Sequence, residues 1–127
     1  MRAALADAGL SAADIGHVNA HGTATTAGDA AEAASIHGVF GDATPVSATK
    51  AIHGHLLGGG GALELVATLR ALLHRRLPPT AHLRQLDPAF AIDVVRGEAR
   101  NAPNLRWAVS NSFAFGGTNA VLAFKRV

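Results

Sequence analysis

Apolar positions along this chain change period several times, and each change marks an element. Residues 1–9 (MRAALADAG) are rich in Ala and Leu and end in Gly9, which predicts a short helix with no evident cap at its start. Residues 11–14 read as a turn with Ser11 as a candidate cap. The apolar run 15–20 predicts a short buried strand. A second helix is expected over 28–40, with Asp29 and Glu32 in its first turns, where the helix dipole favours acids, and with Gly41-Asp42 closing it. Residues 45–48 predict another short strand, with a loop after Lys50. Four glycines at 58–61 stand just ahead of a helical stretch over 62–74. Only Glu64, Thr68 and Arg70 interrupt the apolar surface of that helix, so it should be covered on several sides. A helix held between two sheets fits, with one sheet supplied from elsewhere. Leu77-Pro78-Pro79-Thr80 predicts a rigid turn, residues 81–91 are irregular, and 92–95 reads as a short strand. Residues 106–113 and 119–126 are strand-like and flank Phe115-Gly116-Gly117-Thr118, which predicts an antiparallel pair. The alternation describes one α/β domain, or a piece of one, without internal repeats.

Composition narrows the function. Hydrophobic residues reach 49%, enough for a real core, while charged residues stop at 16%, below the usual quarter. That shortfall fits surface reserved for another domain or subunit, and fits equally a simply Ala-rich protein. The net charge is +2 and the basic residues are scattered apart from Arg75-Arg76, which argues against nucleic acid but leaves room for an acidic protein partner. There is no cysteine, hence no disulfide, thiolate metal site or cysteine nucleophile on this chain. The sequence has neither a signal-peptide pattern nor an apolar run of about 18 residues, so a cytoplasmic protein with no membrane partner is expected.

Chemistry concentrates in three stretches. His21 ends the first strand and precedes a glycine and several hydroxyl residues; a lone histidine there is more often structural than catalytic. His55 repeats the setting, between Gly54 and Leu56-Leu57-Gly58. Two neutral imidazoles so placed can donate N–H groups to one developing oxyanion. Lys50 is either a strand-end lysine reaching water or a partly buried cation, and burial would require an acid, with Glu64 and Asp29 as candidates. Thr23, Thr25 and Thr26 are turn residues or hydrogen-bonding contacts for a polar arm. Phe113 and Phe115 are core residues, or a gate beside Gly116-Gly117 that offers a backbone N–H. On an extended segment His53 and His55 would share a face. A metal site from His21, His53 and His55 is the weaker alternative, and no metal is expected.

Taken together, Asn19-Ala-His-Gly-Thr-Ala-Thr25, Lys50 with Gly54-His-Leu-Leu-Gly58, and Asn111-Ser-Phe-Ala-Phe-Gly-Gly-Thr-Asn119 resemble the β-ketoacyl-acyl carrier protein synthases. The resemblance is to the elongating type II enzymes of bacterial fatty acid synthesis, with polyketide ketosynthase domains similar, and it runs the length of the chain. It implies a thiolase-like α/β fold of two similar halves, of which residues 1–127 form most of the second: a mixed sheet with helices packed on both faces, and the apolar helix in the central layer. It implies a decarboxylative Claisen condensation of an acyl thioester with malonyl-carrier protein. His21 and His55 would hold the malonyl thioester oxygen. Lys50 would order the site with Glu64 and Asp29. Thr23 and Thr25 would contact the phosphopantetheine arm, which the acyl carrier protein brings, so no cofactor of the chain's own is expected. Phe115 would be the gatekeeper whose backbone N–H joins the oxyanion hole. The implied partners are acyl carrier protein and either a second copy or a ketosynthase partner subunit.

Two histidines, rather than His with Asn or Cys, separate the pattern from initiating synthases and thiolases, and argue against inactive chain-length-factor subunits. The departures are equally specific. The nucleophilic cysteine and the first half are absent, so the chain alone is expected not to complete a condensation and to be poorly stable with one helix face bare. Ala114 stands where glycine is usual and His53 where a small hydroxyl residue is common, while Ala24 is a milder change. A non-catalytic module that docks a carrier protein or partner subunit, and a polyketide or aryl-polyene ketosynthase, are the alternative readings.

Overall fold

The computed structural model describes residues 1–126. Four helices and seven strands follow one another: α1 Arg2–Asp7, β1 Ile15–Asn19, α2 Thr26–Phe40, β2 Pro45–Ser47, α3 Lys50–His53, α4 Gly60–His74, β3 Arg76–Leu77, β4 Asp93–Val94, β5 Arg100–Asn101, β6 Trp107–Phe113 and β7 Asn119–Lys125. Five strands form one sheet in the order β4-β2-β1-β6-β7. The first four run parallel, and β7 pairs antiparallel with β6 from Trp107↔Lys125 to Phe113↔Asn119. This is the expected mixed sheet.

The sheet is covered on both faces. On one, Leu5 of α1 and Ile36 of α2 pack on Ile15, Val18, Val46 and Val109. On the other, Leu72 of α4 packs with Leu77, Val95, Leu105 and Ala108. Burial of such side chains stabilises by roughly 1.5–3 kcal/mol each. A β-bulge in β1, between Ile15 and Val18, adds one residue against β6. Ile15 and Val18 therefore join the same core, while Asn19 turns its side chain to α4.

Several boundaries differ from the sequence expectation. Helix α2 starts at Thr26, not residue 28, because Thr25 in extended conformation takes the N-cap position. Gly28 then lies in the first turn, where a Cβ would collide with Thr25 Oγ1. Helix α4 starts at Gly60, within the glycine run, not at residue 62. The expected loop after Lys50 is the single-turn helix α3. The unforeseen pairing of β3 with β5 arises beside the Pro78-Pro79 turn. Helix α4 buries Glu64, Thr68, Ala71 and Leu72 but leaves Val66 and Leu73 exposed, at 54% and 65%. One side of this helix is thus bare, as its composition suggested. Among the described residues no helix is long and apolar enough to cross a membrane.

His17 is a titratable residue inside the core. His17 has no exposed surface, and Ser47 spends its hydroxyl hydrogen on the Pro78 carbonyl (2.6 Å). His17 Nε2–H therefore donates to Ser47 Oγ (3.0 Å), which leaves a buried Nδ1 with no partner among the described residues. Burial pushes the His17 pKa down to about 4. The unfolded chain, with an ordinary imidazole near 6.5, takes up this proton first. The contribution of His17 is fully present above about pH 6.5 and is gone once pH falls through about 4, a loss of about 3 kcal/mol. Chemical denaturation at pH 7 and pH 4.5 should reveal it, and His17→Gln should flatten the difference. An equal acid dependence in both proteins would refute this account.

Candidate active site

Strand β1 delivers His21. The last ladder bond runs from Ala20 N–H to the Ser47 carbonyl (2.8 Å), after which the chain leaves the sheet. Gly22 makes the turn at φ +43°, and a Cβ there would stand 2.7 Å from the Ala48 Cβ, so only glycine fits. Glu32 of α2 receives the freed backbone: Oε1 accepts His21 N–H (2.8 Å) and Oε2 accepts Gly22 N–H (2.8 Å). Ala24 is held at φ +59°, strained for a residue with a Cβ, and its N–H donates to Asp29 Oδ1 (3.1 Å).

His55 meets His21. Their rings are 5.4 Å apart between centroids and nearly perpendicular, at 89°. Leu57, forced to φ +49°, turns its N–H onto His55 Nδ1 (3.3 Å). That bond places the ring's own proton on Nε2, so neutral His55 presents an Nε2–H donor. Phe113, at the end of β6, flanks His21 at 6.0 Å. Phe115 is fully exposed, followed by Gly116 and Gly117 at φ +75° and +80°. Thr23 and Thr25 lie at the rim with their hydroxyls 3.3 Å apart.

Lys50 and Glu64 form an ion pair beneath the histidines, their side chains 4% and 1% exposed. The candidate pairing of Lys50 with Asp29 does not occur: Asp29 serves the Ala24 backbone. His53 does not face His55, because α3 is helical rather than extended. Its Nδ1–H donates to the Gly54 carbonyl (2.7 Å) and its Nε2 meets Thr49 Oγ1 (3.3 Å). Burial lowers the His21 pKa, helped by the Lys50 charge and opposed by Glu64. His21 thus stays neutral through the physiological range. Two neutral imidazoles beside a buried cation suit stabilisation of a negatively charged oxygen.

Three supporting residues escaped the sequence reading. Asn19 ties the layers together: its Nδ2 donates to the Glu64 carbonyl (3.3 Å) and Thr68 Oγ1 (3.1 Å), and its Oδ1 accepts from Thr49 Oγ1 (3.2 Å). Asn111 Nδ2 donates to Glu32 Oε1 (3.0 Å). Asn19 and Asn111 were visible as motif members, but only the strand register shows their partners. Glu32 read as an ordinary first-turn acid of α2. A cavity of about 410 Å³ between α2 and the 80–94 segment adjoins this site, lined by Gly22, Thr25, Asp29 and Glu32 but by neither His21 nor His55.

The family model for the β-ketoacyl synthase C-terminal domain matches residues 1–84. The chain belongs to the β-ketoacyl synthase family. It is 48% identical over 130 residues to nodulation protein E of Rhizobium meliloti, which it spans for 32% of that protein's length. It is 44% identical over 131 residues to 3-oxoacyl-[acyl-carrier-protein] synthase 2 of Vibrio cholerae, again covering 32% of the relative. Both alignments take in all of this chain. A β-ketoacyl synthase structure from Burkholderia phymatum superposes with a TM-score of 0.96 at 45% identity, over 100% of this chain and 31% of that one. The fold of this ketosynthase segment is accordingly thiolase-like, in its C-terminal part.

Proposed function

We propose that this chain supplies the decarboxylation and oxyanion-stabilising side of a 3-oxoacyl-[acyl-carrier-protein] synthase. The observation that carries this reading is the perpendicular His21–His55 pair above the buried Lys50–Glu64 pair. His21 and His55 hold the thioester oxygen of malonyl-carrier protein while CO₂ leaves and the resulting carbanion attacks an acyl thioester. Lys50, with Glu64, fixes the floor of the site. Thr23 and Thr25 at the rim take the phosphopantetheine arm, and Phe115, free to swing on Gly116-Gly117, gates entry. The nucleophilic cysteine comes from a segment outside residues 1–127, so this C-terminal domain alone performs no condensation. That segment also covers the bare stripe of α4. We place the enzyme in the cytoplasm, acting on acyl carrier protein without a prosthetic group of its own, as a homodimer or beside a ketosynthase partner.

A polyketide substrate is the second reading. It is favoured by similarity to a type II polyketide ketosynthase in complex with its acyl-carrier protein (27% identity) and to a ketosynthase in complex with its chain length factor (35% identity). The test joins this chain to a cysteine-bearing first half and supplies acyl- and malonyl-carrier protein. The expected products are a 3-oxoacyl thioester and CO₂, with none from the chain alone. Carrier-protein binding without CO₂ release would instead establish a docking module.

A further inference from the structure

The bare side of α4 has a cation in its middle. Val66, Leu69 and Leu73 are exposed and fall at helical spacing, so they form one apolar stripe. Arg70 stands in that stripe, four residues after Val66 and three before Leu73, and it too is exposed. The carboxylate of α4, Glu64, is buried and spent on Lys50. Arg70 also lines a cavity of about 460 Å³, together with Ile52 and His53 of α3, His74 at the end of α4 and Arg76 of β3. No Asp or Glu is among the described residues that line it. The ion pairs among the described residues are Lys50–Glu64 and Arg100–Asp93, so Arg70, His74 and Arg76 have no carboxylate partner there. His53 turns its two ring nitrogens to the Gly54 carbonyl and the Thr49 hydroxyl, which leaves Arg70 and Arg76 as the forked donors of the cavity.

This surface begins at the candidate site. Gly60, the first residue of α4, lies so near His55 that a Cβ on it would stand 3.8 Å from His55 Nδ1. Leu56, Leu57 and Phe115 are exposed at the same end. A segment that brings a nucleophilic cysteine to His21 and His55 therefore comes down on the start of α4, and the stripe runs on from there. Relatives such as nodulation protein E are long enough to supply one, since this chain spans 32% of that protein. A purely apolar cover would strip water from the Arg70 guanidinium and return nothing, and a buried cation needs a carboxylate.

We propose that the cysteine-bearing segment seats an Asp or Glu side chain in this cavity, paired with Arg70 about 15 Å along α4 from its start beside His55. The inference rests on the reading of this chain as a synthase part whose nucleophile lies outside residues 1–127, and adds the chemistry of that contact. A guanidinium takes both oxygens of a carboxylate in a fork, and Arg76 and His74 add donors beside it. The pair also sets the register of the cover. A slip of one helical turn would place the acid against Val66 or Leu73 and leave Arg70 under hydrocarbon, so the wrong seating is penalised twice.

The experiment uses the complete synthase with Arg70→Leu and Arg70→Lys, and reads a sign. With a carboxylate opposite, Arg70→Leu leaves that acid buried and unpaired, and the unfolding equilibrium constant in urea should rise by about a hundredfold. Without one, the same change replaces a stranded cation by hydrocarbon, and stability should hold or increase. Arg70→Lys keeps the charge and supplies an amine. A water-soluble carbodiimide should then join that amine to a carboxylate of the cysteine-bearing segment as an amide, the reagent taking up the water, and peptide mapping identifies the acid. Replacing that acid by an apolar residue together with Arg70→Leu should recover most of the lost stability. An Arg70→Leu synthase as stable as the parent, or more so, overturns the proposal. So does coupling of position 70 to nothing, or only to acids within residues 1–127. Where Arg70→Leu fails to fold, the coupling decides alone. Release of CO₂ from malonyl-carrier protein by the parent separates the two readings. A folded parent that releases none sinks the condensing function and leaves the contact to the stability sign and the coupling. A parent that condenses normally while Arg70→Leu costs nothing sinks the contact alone.

Discussion

His55→Ala is expected to lower malonyl-thioester decarboxylation by about two to three orders of magnitude, the usual loss for one oxyanion donor. The reason is the tautomer. Leu57 N–H occupies Nδ1 of His55, so the ring's single proton sits on Nε2 as a donor. Alanine removes that donor and leaves His21, 5.4 Å away, to hold the oxygen alone. Acyl transfer to the cysteine, which forms no malonyl enolate, should be far less affected. His55→Asn restores an N–H of different reach and should recover part of the rate. The measurement is CO₂ release from malonyl-carrier protein in the assembled enzyme, at saturating substrate. A His55→Ala enzyme as fast as the parent would remove the oxyanion role from this histidine.

The largest stability effect is expected at Glu64. Glu64→Leu leaves the Lys50 ammonium buried, at 4% side-chain exposure, with no carboxylate to face. Breaking one side of a buried pair costs about 3–5 kcal/mol. Removing both charges is different: Lys50→Met with Glu64→Leu deletes both desolvation penalties and should sit close to the parent in stability. The Asn19 contact to the Glu64 main chain survives either change, since it uses the backbone carbonyl. Denaturant unfolding of the single and double variants checks the pattern. If the pair exists for the site rather than the fold, the double variant is stable yet catalytically poor. A double variant as unstable as Glu64→Leu would contradict the ion-pair account.

Much of the site was legible in the chain because its residues sit in short motifs. His21 and His55 stood out through their glycine neighbours, and both contacts now have geometry. Glu64 was named as a Lys50 partner and is one; Asp29 was named with it and is not. Spacing cannot separate two acids on two helices, and only the fold, which brings Lys50 to Glu64, does so. His53 was grouped with His55 on an assumed extended segment. One turn of helix between Lys50 and His53 sends its ring to Thr49 and the Gly54 carbonyl instead.

The sequence by itself determined the periodicities, hence the longer helices and strands, and the types of chemistry present; the single turn of α3 and the short β3–β5 pair carry no such period. It also exposed the bare α4, because a helix apolar on nearly every side must be covered on several. The tertiary structure alone decided where the strand-end polar groups go. The bulge in β1 turns Asn19 toward α4, and the register of β6 brings Asn111 to Glu32. Glu32 looked like a dipole-favoured acid because local sequence reports only local energetics. Its actual partners lie 10, 11 and 79 residues away, joined by sheet order that no single segment encodes.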